Sequence, residues 1–172
     1  MSLFLSRIIR ALRLDKQLFE EAEADPKSLL QAMTVVVLAS VAGGIGMPGE
    51  EETPFILGAL GALFAWAVWA FITYLVGTKL LPTAQTVSSP AELMRTLGFA
   101  YAPGLLNVLG VMPVLGWAVR GITAVWMLLA WVIAVRQALD YESTGRAVLV
   151  CLIGWVVVMG LNLLLMLTGL SG

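Results

Sequence analysis

The sequence has no histidine, one cysteine (Cys151) and only 12% charged residues in a chain of 172. Each shortage excludes something. Without histidine, the commonest ligand of zinc, haem iron and pigment magnesium is missing, together with the usual general base. No metal and no cofactor are therefore expected. A single cysteine forms no internal disulfide, so cysteine usage assigns no redox compartment. Soluble domains carry about 25% charged residues; half that level excludes a disordered chain, a nucleic-acid binder and an ordinary water-soluble enzyme. The net charge of −1 is too small to steer a partner from a distance. Nor is there a Walker loop, a nucleotide fingerprint, an HExxH or a nucleophile elbow. With no catalytic constellation, the chain reads as a non-enzyme.

Apolar residues make up 60% of the chain, and they fall into long runs. Five candidate membrane spans follow, at about 28–46, 55–79, 93–112, 117–137 and 146–169, each near the 17–25 residues that a crossing helix requires. Starts are marked by Asp25-Pro26, Thr53-Pro54 and Ser89-Pro90, an N-cap residue before a proline at the first helical position. Glu92 completes a capping box with Ser89. Gly43, Gly44, Gly46 and Pro48 end the first run, Gly77 and Pro82 the second. Gly110, Pro113 and Gly116 separate the third from the fourth, and 140–145 is a polar turn. Pro103 lies inside the third span, where it kinks a helix unless neighbours satisfy the freed carbonyl. The expected fold class is all-α: a polytopic bundle of five transmembrane helices (26–172) after an amphipathic helical segment (1–25).

In that first segment Leu5, Ile8, Ile9 and Leu12 recur at helical spacing while Arg7, Arg10 and Arg13 interrupt them. Such a helix lies in the plane of a membrane surface; the alternative is a soluble helix docked on its own protein. It has neither the apolar core nor the cleavage site of a secretory signal, so no removal is expected. Leu18, Phe19 and Ala22 share one face of 15–24, opposite Glu20, Glu21 and Glu23. With five spans and a cytoplasmic N-terminus, nine of the ten Lys and Arg fall inside and only Arg120 outside, with Glu50, Glu51 and Glu52 in the first external loop. A re-entrant third span gives a poorer split. The C-terminus is expected outside a bacterial inner membrane.

No span holds an acidic residue in its interior, which argues against an ion or proton path. Asn107 and Asn162 are the buried amides, read as interhelical packing or as lining for a small polar ligand. Gly58–Ala62, Gly61–Ala65, Gly98–Ala102 and Ala100–Gly104 step in fours along the second and third spans, faces suited to packing within the chain or against a partner or second copy. Trp66, Trp69, Trp126 and Trp131 fall inside spans, and Trp117 sits where an interfacial belt residue belongs. In the turn Arg136-Gln-Ala-Leu-Asp140-Tyr-Glu-Ser-Thr-Gly-Arg146, Arg136 and Asp140 have the spacing of an ion pair. Arg136 and Arg146 are suited to lipid phosphate or an acidic partner, or simply snorkel at the boundary.

Glu20-Glu-Ala-Glu-Ala-Asp-Pro26, Gly77-Thr-Lys-Leu-Leu, Leu93-Met-Arg-Thr-Leu-Gly-Phe-Ala-Tyr-Ala-Pro103, Ala134-Val-Arg-Gln-Ala-Leu-Asp140 and Ser143-Thr-Gly-Arg-Ala147 together resemble the bacterial branch of the Yip-one domain family. These are five-span proteins named for eukaryotic members that interact with Ypt/Rab GTPases. The resemblance covers roughly 15–160 and implies fold and location more than mechanism. Eukaryotic relatives act in vesicle trafficking and membrane shaping through protein contacts, and the family carries no enzyme residues. Arg95, Pro103, Arg136 and Arg146 match its pattern. The reading is a non-enzymatic membrane organiser or partner-binding protein, with lipid and a protein partner or second copy as its contacts. Its rivals are an accessory subunit of a larger, energy-converting assembly and a small transporter or channel.

Overall fold

A computed structural model describes residues 2–46, 55–112 and 114–168. The expected signals at Pro48, Glu50–Glu52, Thr53-Pro54 and Pro113 lie outside the described residues. The described chain is all-helical: α1 Leu3–Leu12, α2 Lys16–Ala24, α3 Ser28–Gly46, α4 Phe55–Leu75 ending in a π-turn at Val76–Leu80, α5 Pro90–Phe99, a 3₁₀ segment Ala102–Val111, α6 Gly116–Ala138 and α7 Thr144–Leu167.

Local chemistry sets the boundaries. Ser2 accepts from the Leu5 amide and Asp15 from the Gln17 amide, capping α1 and α2. Between them Leu14 takes a left-handed φ of 57°, which folds α2 back beneath α1. The Ser89–Glu92 capping box forms in both directions, with Pro90 as the first residue of α5. Asp25 does not cap α3 directly: its carboxylate accepts from the Lys27 amide, and helix proper begins two residues later than expected, at Ser28 rather than at Pro26.

Four helices (α3, α4 with its π-turn, α6 and α7) are long and apolar enough to cross a membrane. No more than a third of each hydrophobic stretch is buried inside the protein. The remaining apolar surface faces outward, as it must where the solvent is hydrocarbon.

The expected third span requires correction: 93–112 is not one continuous α-helix. The Ala100 amide still reaches back four residues to Thr96, but the Tyr101 amide reaches only three, to Gly98, and the Gly104 amide three, to Tyr101. Pro103 has no amide to donate to Phe99, and its ring disfavours α geometry in the residue before it. The chain therefore tightens to three residues per turn and stays so to Val111.

This broken segment runs parallel to α3 along its whole length. A Cβ added to Gly98 would lie 2.5 Å from the Ala32 Cβ, and one on Gly104 would lie 3.2 Å from the Ala39 Cβ. One on Gly110 would lie 2.9 Å from the Gly46 carbonyl oxygen. On α3 the contact residues 32, 39 and 46 recur every seven, two turns of α-helix. On the partner 98, 104 and 110 recur every six, the first at the end of α5 and the last two separated by two turns of 3₁₀ helix. Seven α residues rise about 10.5 Å and six 3₁₀ residues about 12 Å, and the small residues at 98, 104 and 110 still lie against 32, 39 and 46. At the far end Gly116 joins them, with no room for a Cβ beside the Gly110 carbonyl oxygen.

At the opposite end α2 closes the bundle. Leu18, Phe19 and Ala22 are fully buried with Leu93 and Leu97 of α5 and Val135 and Leu139 around the end of α6. Burying Leu18 and Phe19 contributes about 1.5–3 kcal/mol each relative to exposure.

The seam predicts a contrast among glycines. Gly98→Ala should lower stability by about 1–3 kcal/mol, because the Ala32 backbone stands 3.1 Å from the new carbon. Gly58→Ala and Gly61→Ala meet nothing within 4 Å and should be neutral or gain up to about 1 kcal/mol from helix propensity. Unfolding by SDS titration in mixed micelles measures both.

Candidate functional site

The polar end of the bundle gathers α2, the π-turn of α4, the start of α5, the 139–143 turn and the first turn of α7. Arg95 projects from α5 to the C-terminus of α2. Its Nε donates to the carbonyls of Ala22 (3.1 Å) and Glu23 (3.0 Å), and its Nη2 also donates to the Glu23 carbonyl. The Ser28 hydroxyl donates to the same Ala22 carbonyl at 2.7 Å. The last carbonyls of a helix lack intrahelical partners and carry its partial negative charge. Arg95, only 8% exposed, answers both needs.

That arrangement leaves the Glu23 carboxylate unaided. Arg95 uses its donors on the main-chain oxygen, while Asp140, Glu92 and Glu20 surround the half-buried side chain. Burial foremost, then repulsion from Asp140 and Glu92, pushes the Glu23 carboxyl up to about 7, with Arg95 only partly opposing.

Arg136 holds the neighbouring turn. It donates from Nε to the Tyr141 carbonyl (3.0 Å), from Nη2 to the Glu142 carbonyl (2.9 Å) and from Nη1 to Thr144 Oγ1 (3.1 Å). The expected ion pair with Asp140 does not form among the described residues. Asp140 adopts a left-handed φ of 50° and reverses the chain, bringing carbonyls rather than its carboxylate to the guanidinium. The Tyr141 hydroxyl donates between the carbonyls of Gly77 (3.0 Å) and Leu81 (2.8 Å), which the widened π-turn leaves free. Arg146 donates to the Pro82 carbonyl at 3.2 Å and lies 5.9 Å from the Tyr141 ring centre.

The remaining sequence candidates divide. Arg7 is buried, donating to Gln31 Oε1 (2.9 Å) and Asp25 Oδ2 (2.8 Å). Arg10 bridges Asp15 (2.6 Å) and Glu21 (2.7 and 3.0 Å), which holds both carboxyls below their ordinary range. Arg13 is exposed. Pro103 is buried at the helix break. The Asn107 side-chain oxygen accepts from the Thr123 hydroxyl of α6 at 2.5 Å. Asn162 donates to the Val158 carbonyl of its own helix at 2.9 Å. Trp69, Trp131 and Tyr101 meet beside the break, with ring centres 5.7 and 5.4 Å apart. Gly154 admits the Trp69 ring edge. Among the described residues no three His, Cys, Asp or Glu side chains form a metal-holding group.

Sequence reasoning missed Glu23 and Tyr141. Tyr141 carried a weak signal, an aromatic beside a left-handed turn residue; Glu23 carried none, because its environment is made by distant residues.

The family model of the Yip1 domain matches residues 11–166. The chain belongs to the Yip1 domain family. This Yip1-domain chain is accordingly an integral membrane protein built as a helical bundle, as the apolar helices independently require. Neither the curated proteins nor the solved structures provide a significant match.

The raised Glu23 carboxyl makes a signed prediction. In the unfolded chain Glu23 titrates near 4.5, in the Yip1 bundle near 7, so the folded state binds the extra proton between those values. Its contribution to stability is lost as pH rises from about 4.5 through 7. Glu23→Gln should raise the thermal midpoint at pH 8, by on the order of 1 kcal/mol of stability after solvent screening is allowed for. At pH 4.5 the difference should disappear; a pH-independent difference would remove the electrostatic account.

Proposed function

We propose that this Yip1-domain protein is a non-enzymatic scaffold of a bacterial inner membrane, crossing it five times. Its N-terminus is cytoplasmic and its C-terminus external. It acts by holding lipid and protein partners on the cytoplasmic end of the bundle. The fifth crossing is the broken segment. Ten residues of α-helix and ten of 3₁₀ helix span roughly 35 Å, against about 30 Å of hydrocarbon. A segment that accompanies α3 from Ala32 to Gly46 crosses what α3 crosses. Broken helices are tolerated at membrane depth where protein covers their backbone, and α3 and α6 cover this one.

The observation that carries the reading is the division of charge between the ends of the bundle. Arg7, Arg10, Arg13, Lys16, Lys27, Lys79, Arg95, Arg136 and Arg146 belong to the end closed by α2; Arg120, beside the Gly46 carbonyl, belongs to the other. Short loops rich in Lys and Arg stay in the cytoplasm. The closed end also holds the exposed polar side chains of Gln85, Glu142, Ser143, Thr144 and Arg146, the surface on which partners would be received. The family's eukaryotic members, which work through protein contacts, support the same reading.

Single-cysteine labelling tests the topology. In a Cys151→Ser background, Val114→Cys should react with a membrane-impermeant maleimide in intact spheroplasts, and Gln85→Cys only after permeabilisation. Reaction of both from one side would reduce the crossings to four. Mass measurement after gentle extraction from its own membrane tests the scaffold role. A single chain or a homo-oligomer agrees with it; a fixed stoichiometry of other membrane subunits would make the protein an accessory subunit instead.

A further inference from the structure

Two contiguous grooves flank Arg146. One, of about 290 Å³, is lined by Thr83, Ala84, Gln85, Glu142, Ser143 and Arg146. The other, of about 460 Å³, shares Ser143 and Arg146 and continues over Leu80, Leu81 and Leu149. The first carries one charge of each sign, with the Ser143 hydroxyl and the Gln85 amide beside them. Glu142 and Arg146 line it without forming an ion pair with each other, and neither side chain pairs with another charged residue among those described. The second leads onto the exposed Leu80 and Leu149, on the outer surface of the π-turn of α4 and of α7 one turn into its apolar stretch. A pair of opposite charges and two exposed leucines therefore meet at the edge of the apolar stretch.

The walls are fixed in advance. Thr83 and Thr86 tie the loop to itself, the Thr83 amide donating to Thr86 Oγ1 at 3.0 Å and the two hydroxyls lying 2.7 Å apart. Arg146 holds that loop through the Pro82 carbonyl, Tyr141 holds the π-turn, and Arg136 holds the 141–144 turn. Arg146 commits one of its five N–H donors to Pro82, so a pair remains for a two-point contact with a phosphate. Ser143 precedes α7 without using its hydroxyl as a cap, which leaves that hydroxyl for the same anion. On the other side Glu142 and the Gln85 amide oxygen are acceptors suited to a cation that donates hydrogen bonds. Among the described residues that line it there is no aromatic cage of the kind that takes a quaternary ammonium; Tyr141 lies beside Arg146.

We propose that this groove seats the headgroup of a membrane phospholipid bearing a primary ammonium, a phosphoethanolamine lipid. Its phosphate lies on Arg146 and Ser143, its ammonium on Glu142, and its acyl chains run along Leu80 and Leu149. The inference rests on the membrane-embedded reading above and names the lipid that the polar end receives.

Native mass spectrometry of the full chain in detergent, titrated with dioleoyl phosphatidylethanolamine, phosphatidylglycerol or phosphatidylcholine, reads the affinity for the first lipid. The intact protein should bind phosphatidylethanolamine best. Arg146→Gln should weaken both ethanolamine and glycerol lipids by roughly tenfold or more, the loss of a charge-assisted contact. Arg146→Lys should recover part of that binding. Glu142→Gln alters an exposed side chain and leaves the fold intact; it should abolish the preference for ethanolamine over glycerol lipid while phosphate binding persists. Free phosphoethanolamine at the same concentration should not compete, since it lacks the chains. Equal affinity for all three lipids, an unchanged preference in Glu142→Gln, or competition by the free headgroup would each overturn the proposal. Labelling that placed Gln85 outside would overturn the topology and leave lipid selectivity standing, so the two failures are distinguishable.

Discussion

Backbone-to-backbone contact between α3 and the 98–110 segment is the constraint on which the rest of the structure depends. Lipid provides no hydrophobic push between helices, so close packing must supply the attraction. Here the attraction comes from leaving side chains out: Gly98 on Ala32, Gly104 on Ala39, Gly110 on Gly46. The seam also explains how a helix broken by Pro103 would be tolerated at membrane depth in the proposed five-span topology. Its backbone lies against α3 on one side and α6 on the other, where Asn107 meets Thr123. Once this pair is parallel and in register, the N-terminus of α5 must emerge beside the N-terminus of α3. That places Arg95 within reach of the end of α2.

Arg95 then converts a membrane pair into a closed bundle. By holding the Ala22 and Glu23 carbonyls it anchors α2 across the ends of α5 and α6, with Phe19 and Leu18 beneath. The same contact brings Glu23 near Asp140, Glu92 and Glu20, whose repulsion Arg95 only partly offsets. The electrostatic strain there is a by-product of how the helix is capped.

Much of this was legible in the sequence, for reasons that can be named. The spans read as 28–46, 55–79, 117–137 and 146–169 correspond to Ser28–Gly46, Phe55–Leu75 with its π-turn, Gly116–Ala138 and Thr144–Leu167. Each was a long apolar run bounded by glycine, proline or charge, and such runs have few alternatives. The third was misread in its geometry because one proline carries no length. A kink confined to Pro103 and a switch to 3₁₀ geometry for ten residues differ only in what packs alongside. The six-residue spacing of Gly98, Gly104 and Gly110 was visible, yet α-helical four-residue steps are the expected ruler in membranes and hid it. At the polar end Arg136 and Asp140 had the spacing of a pair, but that spacing presumes a helix continuing past Leu139. A left-handed residue at Asp140 voids the presumption.

The cations at the polar end show why a residue can be important twice for unrelated reasons. In the proposed topology Arg7, Arg10, Arg95 and Arg136 would count during insertion simply as positive charges that resist translocation, and they need no folded environment to do so. After folding, the same four are engaged inside the protein: with Asp25 and Gln31, with Asp15 and Glu21, with the end of α2, and with the 141–144 turn. Little of their charge remains for a partner. The charge left on the surface belongs to Arg13, Lys16, Lys27, Lys79 and Arg146. Of these, only Arg146 is tied to a preformed wall by its own hydrogen bond and faces an acid across a groove. A count of basic residues therefore bears on the proposed orientation, whereas recognition at that end, as proposed, would depend on the few cations that folding has left unpaired.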